Sequence, residues 1–455
     1  MTTTMASKVR RGVVLPAAYA LVRDARFALL DKVLERDTWT LDQIRAHQAE
    51  RLTSLFRMCR EHNPYWTARF SEFGVNPNAG DPFVELAKLP VLTKDEIRAN
   101  WKRMRSTHLP QGDVVHETSS GSTGMQINFY QTRHYRQLHA AMEYRSRAWM
   151  GVQPGEPYLS IQAHGAHMTR KTRLFRGARA WLENGYILDA FHLDPAKMRD
   201  QLIQARKLNP VHVHGYTTSC VTVAEFARDN GLTDWPSVRA VSTTSEQQTP
   251  QHRKTLGDVF GANVYDRYGS REVLSISMQC PEGGHHIYAD VNLVEFAPVS
   301  EVGGDLNAIV VTPLDNEAMP LFRYRGGDEA SPIDGACPCG RALPLMTGCR
   351  GRVCNNFITP DGRIVNGTYF LYYFYYQEGF KSYQFHQTTA DHIDLYVVPD
   401  GTLTQERRDY LAASCRKISE DYQSQFNVAL HIVDSIPKRP GGKHLYTISD
   451  VLRHI

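Results

Sequence analysis

The 455-residue chain has almost no charge surplus: 52 lysines and arginines face 48 aspartates and glutamates, for a formal net charge of +4. With no extended basic stripe to follow phosphates, nucleic acid is not expected as a partner. Long apolar runs are also missing. Residues 13–22, preceded by Lys8, Arg10 and Arg11, come closest to a secretory signal, but Pro16 interrupts them and no clear small-residue cleavage site follows. They fall well short of the roughly 20 apolar residues of a spanning helix, so no membrane span is expected and only peripheral membrane contact stays open. Cysteine is sparse and scattered, eight in the whole chain, which argues against a secreted disulfide framework and for reduced thiols in the cytoplasm. No internal repeat or low-complexity tract is evident.

What is present is an ordinary globular composition, 42% apolar and 22% charged, in a chain too long for one hydrophobic core. At least two domains are expected. The first hundred residues read as helical: Thr40 with Gln43 and Thr93 with Glu96 have capping-box spacing, and Asn63-Pro64 stops the first of these segments. From about 115 to 315, candidate strands at 158–161, 211–214, 240–243, 263–265 and 309–312 alternate with helical patterns near 132–149, 217–230 and 249–260. That alternation predicts an α/β fold with a largely parallel sheet and ligand loops at the carboxyl ends of strands. Beyond Gly351-Arg352, apolar runs at 393–398 and 428–433 flank a helical stretch at 403–420, which predicts a compact α+β unit.

The strongest local signal is Thr118-Ser119-Ser120-Gly121-Ser122-Thr123-Gly124. Glycines allow close backbone approach to an anion, and amides and hydroxyls supply donors to phosphate oxygens. The Gly-Lys-Ser/Thr ending of a Walker loop is absent. Downstream follow Thr244-Ser245-Glu246, Tyr268-Gly269-Ser270-Arg271-Glu272, Arg323-Tyr324-Arg325-Gly326-Gly327-Asp328, Gly351-Arg352 and Pro440-Gly441-Gly442-Lys443, in that order.

In this ordered set the chain resembles the adenylate-forming superfamily of acyl-CoA synthetases, and more closely its phenylacetate–CoA ligase branch with the relatives associated with capsule biosynthesis. The resemblance runs from Asn63-Pro64-Tyr65 and Leu89-Pro90-Val91-Leu92-Thr93-Lys94 to Gly442-Lys443. It implies a large N-terminal adenylate-forming α/β domain, residues 1–352, and a small mobile C-terminal α+β lid, residues 353–455. It also implies ATP-dependent activation of a small-molecule carboxylic acid to an acyl-adenylate, followed by transfer to a thiol, above all coenzyme A.

By the same resemblance, Ser120, Gly121, Ser122, Thr123 and Gly124 embrace the β- and γ-phosphates of ATP. Thr244, Ser245 and Glu246 lie along the adenine and the acyl pocket, which Tyr216 could also line. Tyr268, with Gly269 and Ser270, stacks on adenine, Glu272 holds magnesium, Asp328 accepts from the ribose hydroxyls and Arg352 reaches the ribose or phosphates. Lys443 is the catalytic lysine of adenylation, an ammonium set against charge developing on the α-phosphate. Arg271 replaces the family's usual threonine, and Cys354 stands at a hinge position usually acidic or lysine.

These two departures keep a second reading open, a nucleotide-binding protein that retains the fold without turnover. A carrier-protein thiol or an amine would satisfy the same first half-reaction. Separately, Cys280, His286, Cys337 and Cys339 could converge on a structural zinc, although the pair Cys337-Pro338-Cys339 lacks the usual Cys-x2-Cys spacing; buried thiols and a turn histidine are the competing reading. His212 and His214 alternate on one strand face and read as core or acyl-pocket histidines. The aromatic run 369–376 reads as packing.

Overall fold

The computed structural model describes residues 4–119, 127–162, 170–189, 194–246, 248–298, 307–349, 357–365, 367–374, 380–422, 425–436 and 446–451. The chain divides into two compact units. One comprises residues 1–119, 127–155 and 265–351, and the other 120–126, 156–264 and 352–455. No helix among the described residues is long and apolar enough to cross a membrane.

The first unit begins helical, as its capping signals predict. The Thr40–Gln43 box is fully formed and opens the helix Leu41–His62. Asn63 then closes that helix and caps the next, Pro64–Glu72, by accepting from the Trp66 amide. At Thr93 only half of a box forms. The threonine accepts from the Glu96 amide, but the Glu96 carboxylate turns instead to the Tyr65 hydroxyl at 2.5 Å and to Arg69 at 3.1 Å.

These helices carry an apolar face against which the strands of the unit are seated. Phe56, Trp66, Phe70 and Phe322 are buried and meet ring to ring, and burial of each such side chain is worth about 1.5–3 kcal/mol. Leu92 exchanges backbone hydrogen bonds with Arg323 and Arg325, both at 3.0 Å. The Leu-Pro-Val-Leu segment thereby anchors the start of the strand Tyr324–Ala330. That strand closes an antiparallel sheet with Asn307–Pro313 and Asn292–Pro298. A second antiparallel array joins Leu274–Gln279 to the end of Asn263–Ser270 on one side and to His285–Ile287 on the other, continuing to Leu345–Met346 and Pro332–Ile333.

The long helix Arg133–Trp149 buries Arg145 completely, and its guanidinium is met by Asp290 and Asp37, each at 2.8 Å. A buried cation is tolerable only with such partners.

The second unit holds the expected parallel sheet. Its strands Ala240–Thr244, His212–Tyr216, Tyr158–Gln162 and Gly185–Asp189 are neighbours in that order, every pair parallel. The helices Pro195–Lys207, Thr217–Asp229 and Pro250–Phe260 supply the crossover chemistry such pairs need and share a core containing Leu159, Ile161, Val213, Val223, Val241 and Leu256. One of the candidate strands lies outside this parallel array. The candidate strand at 309–312 is the middle of the antiparallel sheet of the first unit. Its apolar run reflects burial, and burial alone does not set direction.

Within the same second unit, residues after 356 form the expected α+β element. Strands Asn427–Ile432, His392–Pro399, Phe380–Thr389 and Thr447–Ser449 pair in that order, with the helix Gln405–Asp421 alongside the edge strand. Tyr369, Phe370, Tyr373 and Phe374 are buried in its core, so these residues of the aromatic run are packing as expected.

Candidate functional site

In the first unit, two of the separated motifs converge. The strand Asn263–Ser270 carries Tyr268, and Tyr324–Ala330 carries Asp328; the Tyr268 hydroxyl donates to Asp328 Oδ2 at 3.0 Å. Burial, with the Asp328 charge beside it, holds the Tyr268 hydroxyl well above the usual phenol range, so it remains a donor. Gly269 follows at a register shift in the ladder, where an added Cβ would lie 2.1 Å from the Leu274 carbonyl oxygen. Only glycine admits that approach. Ser270 accepts from the Val273 amide at 3.2 Å, which shapes the turn that presents Glu272.

Glu272 is buried at 5% exposure and accepts a hydrogen bond from the Tyr324 hydroxyl at 3.1 Å. Tyr324 was not singled out from the sequence as a functional residue, although it sits inside the motif that carries Asp328. Arg271 pairs with Glu117 at 2.7 Å, and Glu117 also takes Arg136 at 2.8 Å. Glu117 lies on Val114–Thr118, the strand that leads into the Ser/Gly/Thr loop. Nothing in the sequence marks Glu117, because its partner is 154 residues away.

The neck of that loop is described on both sides, with the Ser119 amide donating to the Ile127 carbonyl at 3.0 Å. Thr118 Oγ1 and Ser119 Oγ are buried and have no hydrogen-bond partner among the described residues. Buried hydroxyls without partners are rare in folded proteins and mark a place for a polar ligand or water. Ser120, Gly121, Ser122, Thr123, Gly124, Arg352, Cys354 and Lys443 lie outside the described residues.

In the second unit, Tyr216 and Thr244 end adjacent parallel strands, in register with each other. Carboxyl ends of parallel strands are where open α/β sheets bind ligands. Ser245 follows with φ of +73°, a left-handed conformation that costs a non-glycine residue free energy and clusters at functional sites. Glu246 accepts from the Thr218 amide at 2.7 Å and the Thr218 hydroxyl at 3.0 Å. Its carboxylate thus caps the helix Thr217–Asp229, whose N-cap residue Tyr216 provides no side-chain cap. Tyr216 packs against both apolar cores of this unit. His212 contacts the Ser242 hydroxyl at 2.9 Å and stacks on His214 with centroids 5.1 Å apart.

The four candidate metal ligands, all in the first unit, do come together: ligand atoms of Cys280, His286, Cys337 and Cys339 lie within 4.8 Å of one another.

The chain is similar to several known proteins. Residues 357–450 match the family "CapK C-terminal domain". The chain is 27% identical over 345 residues to a phenylacetate-coenzyme A ligase of Thermus thermophilus, covering 73% of this chain and 74% of that protein. It is 22% identical over 369 residues to the protein CapK of Staphylococcus aureus, covering 80% of each. Among solved structures, a 2-hydroxyisobutyryl-CoA ligase in complex with 2-HIB-AMP and CoA superposes with a TM-score of 0.62 at 18% identity, covering 92% of each chain.

Proposed function

We propose that this chain, which is similar to phenylacetate–CoA ligases and to CapK, is an AMP-forming acid–thiol ligase acting on a small or aromatic carboxylic acid, with coenzyme A as acceptor. The observation that carries this reading is the hydrogen bond between Tyr268 and Asp328, residues of two motifs 60 positions apart. An aromatic face and a carboxylate held together suit the base and the vicinal hydroxyls of a nucleoside.

In the first half-reaction a carboxylate oxygen of the acid attacks the α-phosphorus of ATP, and the bond to the β-phosphate oxygen breaks to release pyrophosphate. In the second, a thiolate sulfur attacks the acyl carbon and AMP leaves with the electron pair of the broken C–O bond. Neither step needs a side-chain nucleophile; the protein's part is placement and charge stabilisation. Ser120 to Gly124 are assigned to the β- and γ-phosphates, and the buried hydroxyls of Thr118 and Ser119 at the neck of that loop, without a partner among the described residues, support a polar ligand there.

Asp328 is assigned to the ribose and Tyr268 to the adenine; Gly269 and Ser270 shape the turn between them and Glu272. Thr244 and Ser245 are assigned to the adenine and acyl side, with Glu246 fixing their loop through its helix cap, and Tyr216 to the acyl pocket. Arg352 is assigned to the ribose or phosphates, and Lys443 to the charge that develops during adenylation. Glu272 supplies a hard carboxylate oxygen of the kind magnesium prefers, and the Tyr324 hydrogen bond fixes its orientation. Magnesium, when bound, neutralises phosphate oxygens.

The test is acid-dependent exchange of pyrophosphate into ATP across a panel of carboxylic acids, followed by thiol-dependent release of AMP. An acid that drives exchange and then requires coenzyme A for AMP release establishes the reading. Nucleotide binding without exchange for any acid makes the protein a binding module. Exchange with AMP release to an amine or a carrier-protein thiol instead keeps the first half-reaction and replaces the acceptor.

A further inference from the structure

Away from the nucleotide residues, four side chains with soft or borderline donors are gathered in one place. Cys280 follows the strand Leu274–Gln279, His286 is the middle residue of His285–Ile287, and Cys337 and Cys339 lie on the loop before Leu345–Met346. Cys280, His286 and Cys337 are buried and Cys339 half-buried. The Cys280 and Cys337 sulfurs are 3.5 Å apart, and the Cys339 sulfur is 3.2 Å from His286 Nε2. A tetrahedron built on zinc–sulfur bonds of about 2.3 Å and zinc–nitrogen bonds of about 2.0 Å has edges of about 3.5–3.8 Å. The two separations lie at or a few tenths of an ångström below those edges, and all four ligand atoms stay within 4.8 Å of one another.

The backbone around the sulfurs is folded for such a site. The Gly283 amide donates to the Cys280 carbonyl at 3.0 Å and the Gly340 amide to the Cys337 carbonyl at 3.1 Å, with both glycines left-handed. Each cysteine thus heads a tight turn. At Gly284 an added Cβ would come within 2.8 Å of the Cys337 sulfur, so the two segments approach as closely as a glycine permits. His286 is oriented by its other nitrogen. Nδ1 is 3.1 Å from the Leu343 carbonyl oxygen, an acceptor only, so Nδ1 carries the proton and the Nε2 lone pair faces the sulfurs.

We propose that Cys280, His286, Cys337 and Cys339 bind one structural zinc ion. Three thiolates and an imidazole are a soft set suited to zinc in tetrahedral geometry, and four protein ligands leave no open position for substrate or water. The ion clips the loop that follows the Asp328 strand to the hairpin that follows the Tyr268 strand, across 57 residues of sequence. It is a fastener and takes no part in the transfer chemistry.

The full chain purified without chelator is assayed by metal analysis and native mass spectrometry, and the zinc-depleted chain is refilled with cobalt(II). One zinc per chain is expected, with intense thiolate-to-cobalt charge-transfer absorption and the visible bands of a tetrahedral ion. Cys339→Ser should weaken zinc retention against a chromogenic chelator at least tenfold and His286→Gln should alter the cobalt bands. If either variant fails to fold, stepwise blocking of thiols in the wild-type chain should release zinc in step with modification of Cys280, Cys337 and Cys339 in peptide maps. A folded, metal-free wild-type chain that gives no cobalt bands overturns the proposal. So does a Cys280–Cys337 disulfide, or zinc released in step with modification of other cysteines only. All of these outcomes are independent of whether the protein adenylates anything.

Discussion

At the scale of single residues, the contact between Tyr268 and Asp328 is the most informative. A carboxylate can accept from two hydroxyls at once, whereas an amide of the same shape presents one acceptor and one donor group. Asp328→Asn is therefore expected to preserve the fold and weaken ATP. Loss of a hydrogen bond to a charged group costs about 1.5–3 kcal/mol, which is roughly a 10- to 150-fold rise in KM for ATP in pyrophosphate exchange. An unchanged KM, with an unchanged melting temperature, would remove Asp328 from the nucleotide. Arg271 is also resolved at this scale. Its ion pair with Glu117 explains how an arginine is accommodated next to Glu272 in the chain: the guanidinium is drawn to the strand that leads into the Ser/Gly/Thr loop.

At the scale of elements, the helix Arg133–Trp149 carries His139 into the first unit, where the ring is 3% exposed. His139 Nδ1 accepts from the Ser275 amide at 3.0 Å, an arrangement only neutral imidazole can make. Burial lowers its pKa to about 3, against the weaker opposing pull of Asp290 and Glu143. Between that value and the ordinary 6.5 the unfolded chain binds a proton that the folded chain does not, so stability rises with pH across this window and falls as pH drops below 6.5. Each pH unit within it costs about 1.4 kcal/mol from this group. Denaturant unfolding at pH 6.5, 5.5 and 4.5 should show that slope, and His139→Phe should reduce it. A variant with the wild-type slope would show that the acid sensitivity resides in other groups.

At the scale of the whole molecule, the proposed mechanism makes different demands on Lys443 in its two half-reactions. An ammonium is useful while negative charge spreads over the phosphates and has no role when a thiol displaces AMP. Lys443→Ala should slow adenylation by roughly 10²–10³, the usual effect of removing one transition-state donor. Transfer from a supplied acyl-adenylate to coenzyme A should stay near the wild-type rate. Equal losses in single-turnover measurements of the two steps would refute the division of labour.

Much of this protein is written locally, and those features could be read in order along the chain. Thr40 and Gln43 close their box because both partners lie within one helical turn. The strands ending at Tyr216 and Thr244 were visible because apolar runs alternate with helical periodicity, and the motif residues of the proposed nucleotide site follow one another in the expected sequence. Tertiary contact decided what no local rule reaches. The Glu96 side chain left its box for Tyr65 and Arg69 because these neighbours compete for its charge. The apolar strand at 309–312 became antiparallel because direction is set by which edge is available. Glu117 found Arg271 across a distance at which sequence spacing carries no information, and the meeting of Cys280 with Cys337, which residue type only suggested, was decided in the same way. Pairing of that kind depends on where the chain returns in space, and the packing of the aromatic core around Trp66 and Phe322 fixes that return within the first unit.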